Sequence, residues 1–134
     1  MESAELRIDT GRERVIDITD RVAAFVRERG GDGLLNVFAP HATAGVALME
    51  TGSGSEGDLV AALERLLPRD DRYAHRHGSR GHGADHLLPV LVSPSATIPV
   101  AGGRMQLGTW QHVVLVDLNP DNARRTVRLG LLRG

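Results

Sequence analysis

The sequence predicts an α+β fold, with one large and mainly antiparallel β-sheet and two or three helices. The chain has 134 residues, the size of one domain with a substantial core. About seven or eight short segments alternate apolar and polar residues or are rich in β-branched residues, as strands are. These strands do not alternate with helices, so a parallel βαβ sheet is not indicated. We therefore expect residues 1–134 to form a single domain.

The chain opens with two short strands and a helix. Residues 5–10 alternate in polarity, and residues 14–18 follow a Gly-Arg turn, which predicts an opening hairpin. Thr19 and Asp20 are good N-cap residues, and the apolar side chains after them recur at helical spacing as far as Gly30. This pattern predicts a short amphipathic helix that ends at that glycine.

Two inner strands and a second helix come next. Residues 34–39 and 43–49 are apolar and rich in strand-forming residues, which predicts buried strands. Ser55 is followed three positions later by Asp58, which resembles a capping box with Asp in place of Glu. The leucines and alanines that follow form one apolar stripe, so we expect a helix that ends before Pro68.

The last third of the chain is mostly β-structure. Residues 86–92 are apolar and fit either a short helix or a strand, and Pro89 would be tolerated only in a first helical turn. After Pro94 the alternation is typical of strands, with one turn at a glycine pair and another at an Asn-Pro sequence. The predicted strands are residues 96–100, 104–109, 111–118 and a last strand around 126–129.

Composition excludes several classes of function. The chain has no cysteine, which rules out thiol nucleophiles, thiolate metal sites and disulfides. All sixteen basic residues are arginine, so lysine-based chemistry is excluded. A net charge of -1 with scattered arginines does not favour nucleic acid as a partner. The charged N-terminus and the lack of an apolar run of about 20 residues predict a cytoplasmic protein with no membrane partner.

Imidazole chemistry is concentrated in residues 73–86, which hold four of the six histidines. Neutral imidazole is a common ligand of zinc and similar ions. His75 and His86 could meet across the glycines between them, and His41 stands at the end of a predicted strand. Three histidines with an open coordination position would form a Lewis-acid site. The alternative is a solvated polar loop.

The other three histidines are weaker candidates. Glycines flank His77 and His82, so we expect both to be surface or supporting residues that can be replaced. His112 falls in a strand pattern and is expected to be hydrogen-bonded or exposed there.

Two carboxylates and a neighbouring tryptophan and glutamine complete the set of candidates. Glu50 and Asp58 lie between the His41 segment and the second helix, where either would act as a general base or orient a histidine. A plain helix cap is the alternative for Asp58. Trp110 and Gln111 would border a ring pocket, although the default position of a single tryptophan is the core.

The landmarks occur in an order that resembles the YjbQ family, from about residue 5 to the end. The most specific is G-R-M-Q-L-G-T-W-Q near the end of the chain, together with three spaced histidines. The others are H-A-T-A-G, D-L, L-P, Y-A-H, H-L, P-S, I-P-V and a closing R-R-T-V-R-L.

The resemblance implies both a site and an activity. It places the metal ligands at His41, His75 and His86, and it implies a divalent metal, with zinc preferred, in a homotrimer. It also implies a secondary thiamine-phosphate synthase, which joins hydroxymethylpyrimidine pyrophosphate to a thiazole phosphate. The catalytic candidates are then Glu50 and Asp58. We place Thr43, Trp110, Gln111 and Arg125 at the phosphorylated substrate, with Arg125 facing the pyrophosphate.

Two other functions remain open from the sequence. One is a metal-binding or small-ligand-binding protein without turnover. The other is a metal-dependent hydrolase of phosphate esters. Both would use the same histidines, so the residue pattern does not separate them from a transferase.

Overall fold

The computed structural model describes residues 1–76, 78–121 and 123–134. Among these residues there are eight strands and three helices, which confirms the predicted α+β fold. Their order is β1 (Glu2–Asp9), β2 (Val15–Asp17), α1 (Thr19–Arg29), β3 (Gly33–Phe38), β4 (Ala44–Met49), α2 (Ser55–Leu66), α3 (His82–Leu91), β5 (Ser95–Ala101), β6 (Arg104–Met105), β7 (His112–Asp117) and β8 (Arg124–Arg133).

The strands form two antiparallel sheets. One has five strands in the order β1-β8-β3-β5-β6, and the other has three in the order β2-β7-β4. All strand pairs within the described residues are antiparallel. Within that part of the chain, no helix is long and apolar enough to cross a membrane.

The opening hairpin predicted from the sequence is wrong. β1 pairs with β8 from Glu2↔Leu131 to Asp9↔Arg124, whereas β2 pairs with β7 in the other sheet. Gly11 has a φ of 52° and turns the chain between them. The prediction of a turn at this point is therefore correct. The hydrogen-bond partners of β1 lie more than a hundred positions away in sequence, and those of β2 lie about a hundred positions away.

The first two helices begin and end close to the predicted positions, but their N-termini are satisfied differently. In α1 the carboxylate of Asp17 accepts hydrogen bonds from the Thr19 amide and hydroxyl at 2.9 and 2.5 Å. The capping box predicted at Ser55 is absent. The residue before α2 is Gly54, which has left-handed backbone angles, and no side chain caps the helix there. Glu56 instead reaches back to the Gly52 amide at 2.7 Å.

The third helix begins earlier than expected and contains a proline near its end. α3 spans ten residues from His82, with Pro89 as its eighth position. The expectation that Pro89 requires a first helical turn is wrong. A proline removes one amide donor and crowds the carbonyl four residues earlier. Here that carbonyl belongs to Asp85, and the helix continues past the proline, since the Val92 amide still reaches the Leu88 carbonyl at 2.8 Å.

β7 lies between two hydrophobic cores. Val113 and Leu115 belong to the larger core, which the five-stranded sheet and α1 share. Val114 and Val116 belong to a smaller core with residues of α2 and α3. All four side chains are buried, as expected for a strand covered on both faces. The smaller core thereby holds α2 and α3 against the three-stranded sheet.

Substitution of two glycines tests this packing, and the two changes in the free energy of unfolding are expected to have opposite signs. A Cβ on Gly45 of β4 would lie 2.2 Å from the Val92 carbonyl oxygen, whereas a Cβ on Gly57 of α2 would meet nothing within 4 Å. Gly45→Ala should lower the free energy of unfolding by about 3 kcal/mol, because the segment that follows α3 at Val92 must move. Gly57→Ala should raise it by about 0.5–1 kcal/mol, because alanine loses less backbone entropy in a helix.

Urea unfolding of both variants beside the parent protein measures these changes. An unchanged midpoint for Gly45→Ala would show that the contact with Val92 is loose.

Candidate functional site

The three-stranded sheet separates the predicted site residues into two groups. The pair Ala44–Asp117 marks one end of the sheet and Met49–His112 marks the other. β7 has six residues, so these ends are about 17 Å apart at roughly 3.4 Å per residue. The first end carries Thr43, and the second end carries Glu50, Trp110 and Gln111.

Three histidines converge near the Asp117 end. One ring nitrogen from each of His75, His82 and His86 lies within 4.8 Å of the others. The ring centroids of His75 and His86 are 4.4 Å apart, and those of His82 and His86 are 4.5 Å apart. His82 is buried, His86 is half-buried and His75 is exposed. We call these residues the three-histidine group.

Helix geometry explains why His82 and His86 meet. Residues four apart lie on the same helical face, and these two occupy the first and fifth positions of α3. Their Nε2 atoms are 2.8 Å apart. The Nδ1 atom of His82 lies 3.4 Å from a carboxylate oxygen of Asp121, which favours a proton on Nδ1 and a lone pair on Nε2. That lone pair points into the three-histidine group.

Glycines allow the segment before α3 to pack closely against the helix. Gly78 and Gly81 have φ values of 81° and 84°, in the left-handed region that glycine adopts without strain. A Cβ on Gly83 would lie 2.6 Å from Cβ of Tyr73 and 2.7 Å from the His75 carbonyl oxygen. The glycines in this part of the chain therefore permit a close contact that brings His75 to α3.

A buried ion pair anchors the first turn of α3. Arg69 donates from two guanidinium nitrogens to Asp85, the second contact being 3.2 Å long. The side chain of Asp85 is fully buried, and that of Arg69 is 19% exposed. The hydrogen bond from Arg69, followed by the charge of Asp85, raises the pKa of the guanidinium. Because Asp85 lies between His82 and His86 in sequence, this pair fixes the helix that carries both histidines.

His41 lies outside the three-histidine group and contacts β8. Its Nε2 atom accepts the Thr126 amide hydrogen at 2.9 Å. Beside it, Arg125 is buried in an ion pair with Asp117 and lies 3.4 Å from the Thr43 hydroxyl. Burial, followed by the charge of Arg125, lowers the pKa of His41. The imidazole is therefore held in its neutral form.

The structure does not bring the remaining predicted site residues to the three-histidine group within one chain. Glu50 and Trp110 are exposed, the latter by 70%, and Gln111 accepts the Gly108 amide hydrogen at 2.8 Å. Asp58 is exposed in the first turn of α2. The catalytic and substrate-binding roles of these residues stay predictions.

One histidine lies in a different environment from the one its sequence context predicts. His82 was expected to be replaceable, yet it is 9% exposed and belongs to the three-histidine group in the place expected for His41. Its four-residue spacing from His86 was the available signal, but α3 was expected to begin only at His86. His112 is a half-buried residue of β7, with Nδ1 2.8 Å from a carboxylate oxygen of Asp17. His77 lies outside the described residues.

The donor set of the three-histidine group fits a divalent metal ion. Zinc binds imidazole nitrogens at about 2.0–2.1 Å, so tetrahedral coordination needs nitrogens about 3.4 Å apart. The 2.8 Å between His82 and His86 and the 4.8 Å limit for the group lie on either side of that value. The Asp121 carboxylate lies 3.4 Å from the outer nitrogen of His82, where carboxylates commonly lie beside zinc-binding histidines.

Fold and site together define an α+β protein with antiparallel sheets and a three-histidine group that is open to solvent at His75. A family model described as UPF0047 protein YjbQ-like matches residues 4–134. The chain belongs to this YjbQ/UPF0047 family, so the resemblance found in the sequence is confirmed.

Relatives and solved structures agree with this assignment. The chain is 63% identical to the UPF0047 protein Rv2556c of Mycobacterium tuberculosis over 134 residues, which is 100% of both chains. It is 31% identical to the UPF0047 protein YugU of Bacillus subtilis, covering 86% of this chain and 87% of that protein. The crystal structure of hypothetical protein APE1520 from Aeropyrum pernix K1 matches with a TM-score of 0.91, 32% identity and full coverage of both chains.

The lowered pKa of His41 predicts how stability depends on pH. An unfolded histidine takes up a proton near pH 6.5, whereas folded His41 takes it up only at lower pH. The unfolded state then binds more protons, so the stability contributed by neutral His41 is present above pH 6.5 and is lost as pH falls below it. His41→Gln should remove this part of the acid destabilisation, which urea unfolding between pH 7 and pH 5 measures. Parallel profiles for the two proteins would contradict the assignment.

Proposed function

We propose that this protein is a metal-dependent enzyme whose three-histidine group holds one divalent ion, with zinc preferred. The observation that carries the proposal is the convergence of three imidazole nitrogens within 4.8 Å with His75 exposed. Structural zinc sites are closed by four protein ligands, whereas catalytic sites keep a position for water or substrate. Three protein ligands with one solvent-facing side match the catalytic kind.

The chain's own residues would hold and orient the ion. His82 and His86 present their nitrogens from one helix, which the Arg69–Asp85 pair keeps in place. Asp121 supports the tautomer of His82 in which Nε2 is the ligand atom. When bound, the ion would supply a Lewis acid that stabilises negative charge on a phosphorylated group.

The candidate reaction is the one that the family resemblance implies. The protein would join hydroxymethylpyrimidine pyrophosphate to a thiazole phosphate, and pyrophosphate would be the leaving group. A site that neutralises anionic oxygens serves this chemistry, because negative charge develops on the departing pyrophosphate. A phosphate-ester hydrolase would need the same neutralisation of negative charge. A binding protein would need only to neutralise the anionic oxygens of its bound ligand.

Zinc affinity of four proteins tests the metal site. His82→Ala should weaken zinc binding by at least about 100-fold, because ligands contribute more than the supporting residues whose loss costs about 10–100-fold. His41→Ala should bind zinc like the parent, although the sequence alone predicts the opposite. His112→Ala is the control, since its ring pairs with Asp17. Elemental analysis and chelator competition on untagged protein provide the measurement.

Failure of the parent protein to take up zinc, or full affinity in His82→Ala, would remove the proposed metal site. Turnover assays on the zinc-loaded protein then separate the three functions. Release of pyrophosphate only when both substrates are present supports the transferase. Phosphate release from a panel of esters supports the hydrolase, and the absence of both supports a binding protein.

We also propose that the protein is a homotrimer, as the resemblance implies. Leu87, Val90 and Leu91 lie on one face of α3 and are 42%, 76% and 55% exposed. Association of copies through this face would remove apolar surface from water. It would also place the interface beside His86, which is one helical turn before Val90.

Light scattering should therefore give about three times the 14.4 kDa of one chain. Val90→Glu should lower this mass by introducing a charge into the interface. The matched change Leu34→Glu, at a 49% exposed position of the five-stranded sheet, should leave it unchanged. A monomeric parent protein would contradict the proposal.

A further inference from the structure

A small polar cavity opens beside the three-histidine group. Its volume is about 180 Å³, and its lining includes His75, His82, Arg76 and Arg80. Sites for drug-sized ligands usually span about 300–1,000 Å³. The cavity has room for about six water molecules at their share of roughly 30 Å³ in the liquid. It therefore suits a compact group and not a whole two-ring molecule.

The charges around the cavity are mixed, and a bound metal ion would make them favour an anion. Two carboxylates, Asp70 and Asp71, also line it. Asp70 is bound by Arg72, whose Nε and Nη2 atoms each reach a carboxylate oxygen at 2.8 Å. The charge of Arg72 offsets that of Asp70, and Asp121 lies beside the lining residues Ser79 and His82. The guanidinium and carboxylate charges are thus about equal, and the charge of the proposed metal ion would tip the balance towards an anion.

The two arginines of the cavity wall are placed to contact a ligand. The Nε–H group of Arg76 donates to the Tyr73 carbonyl at 2.9 Å, which holds the guanidinium at the wall. Arg76 and Arg80 are both exposed. Arg125, the arginine expected to face pyrophosphate, is instead 6% exposed and paired with Asp117. An anion that arrives from solvent would meet Arg76 and Arg80 first.

We propose that Arg76 and Arg80 bind a phosphoryl group of the substrate in this cavity, beside the ion held by the three histidines. The inference rests on the proposed metal-dependent function for its setting. Guanidinium groups pair with phosphate through two parallel hydrogen bonds, and a tetrahedral group fits the compact volume. The organic part of the substrate lies outside the cavity, on the open side at His75. The preferred substrates are thus small phosphate or diphosphate esters.

Calorimetric titration with inorganic phosphate tests this inference on the full-length protein, both zinc-loaded and zinc-free. Arg76→Gln and Arg80→Gln should each weaken phosphate binding by about 10-fold or more, as expected for loss of a charged hydrogen bond. Arg80→Lys should be intermediate, because it keeps the charge and loses the bidentate geometry. Arg104→Gln, at an exposed position of β6, is the matched control and should change affinity by less than about 2-fold.

Zinc content measured on the same samples keeps this test separate from that of the metal site. Bound zinc with a phosphate affinity that does not depend on Arg76 or Arg80 would overturn the inference and leave the metal site standing. If the parent protein takes up no zinc but binds phosphate through Arg76 and Arg80, the metal site falls and the phosphate site stands. Acetate bound as tightly as phosphate, or no phosphate binding by the parent protein, would also overturn it. Circular dichroism of each variant verifies that it is folded.

Discussion

The double burial of β7 is the constraint on which the rest of the structure depends. Val113 and Leu115 face one core while Val114 and Val116 face the other, so the strand has no polar side to turn towards water. A shift of one residue would exchange the two sets of side chains between cores. The same strand ends at Asp117, which pairs with Arg125, and the loop beyond it carries Asp121 to His82. Core packing and site geometry are therefore set by one register.

The site combines a rigid element with a closely packed segment. His82 and His86 are fixed relative to each other by helical spacing, and the Arg69–Asp85 pair fixes the helix itself. His75 comes from outside the helix and is positioned by contact of its backbone with Gly83. Two kinds of substitution should thus affect the group differently, since changes in α3 move two nitrogens together and changes near Gly83 move one.

Much of the fold could be predicted from local patterns, because α1, β3, β4 and β8 follow periodicities that extend over several residues. The pairing of β1 could not, since its partner β8 lies at the other end of the chain and alternation does not specify a partner. The site was predicted in part: His75 and His86 were named, but His82 was set aside because glycines flank it. The close contact at Gly83 depends on Tyr73 and His75, which no spacing rule relates to it.

The placement of two histidines on α3 and one outside it has a thermodynamic consequence for the proposed metal site. A pair of nitrogens already held by a helix loses little conformational entropy when an ion arrives, so most of the ordering cost falls on the segment that carries His75. The affinity of the site would then depend on how well that segment is ordered beforehand. Residues that touch no ion, such as Tyr73 with its hydroxyl 2.8 Å from the Pro68 carbonyl, would tune affinity through preorganisation alone.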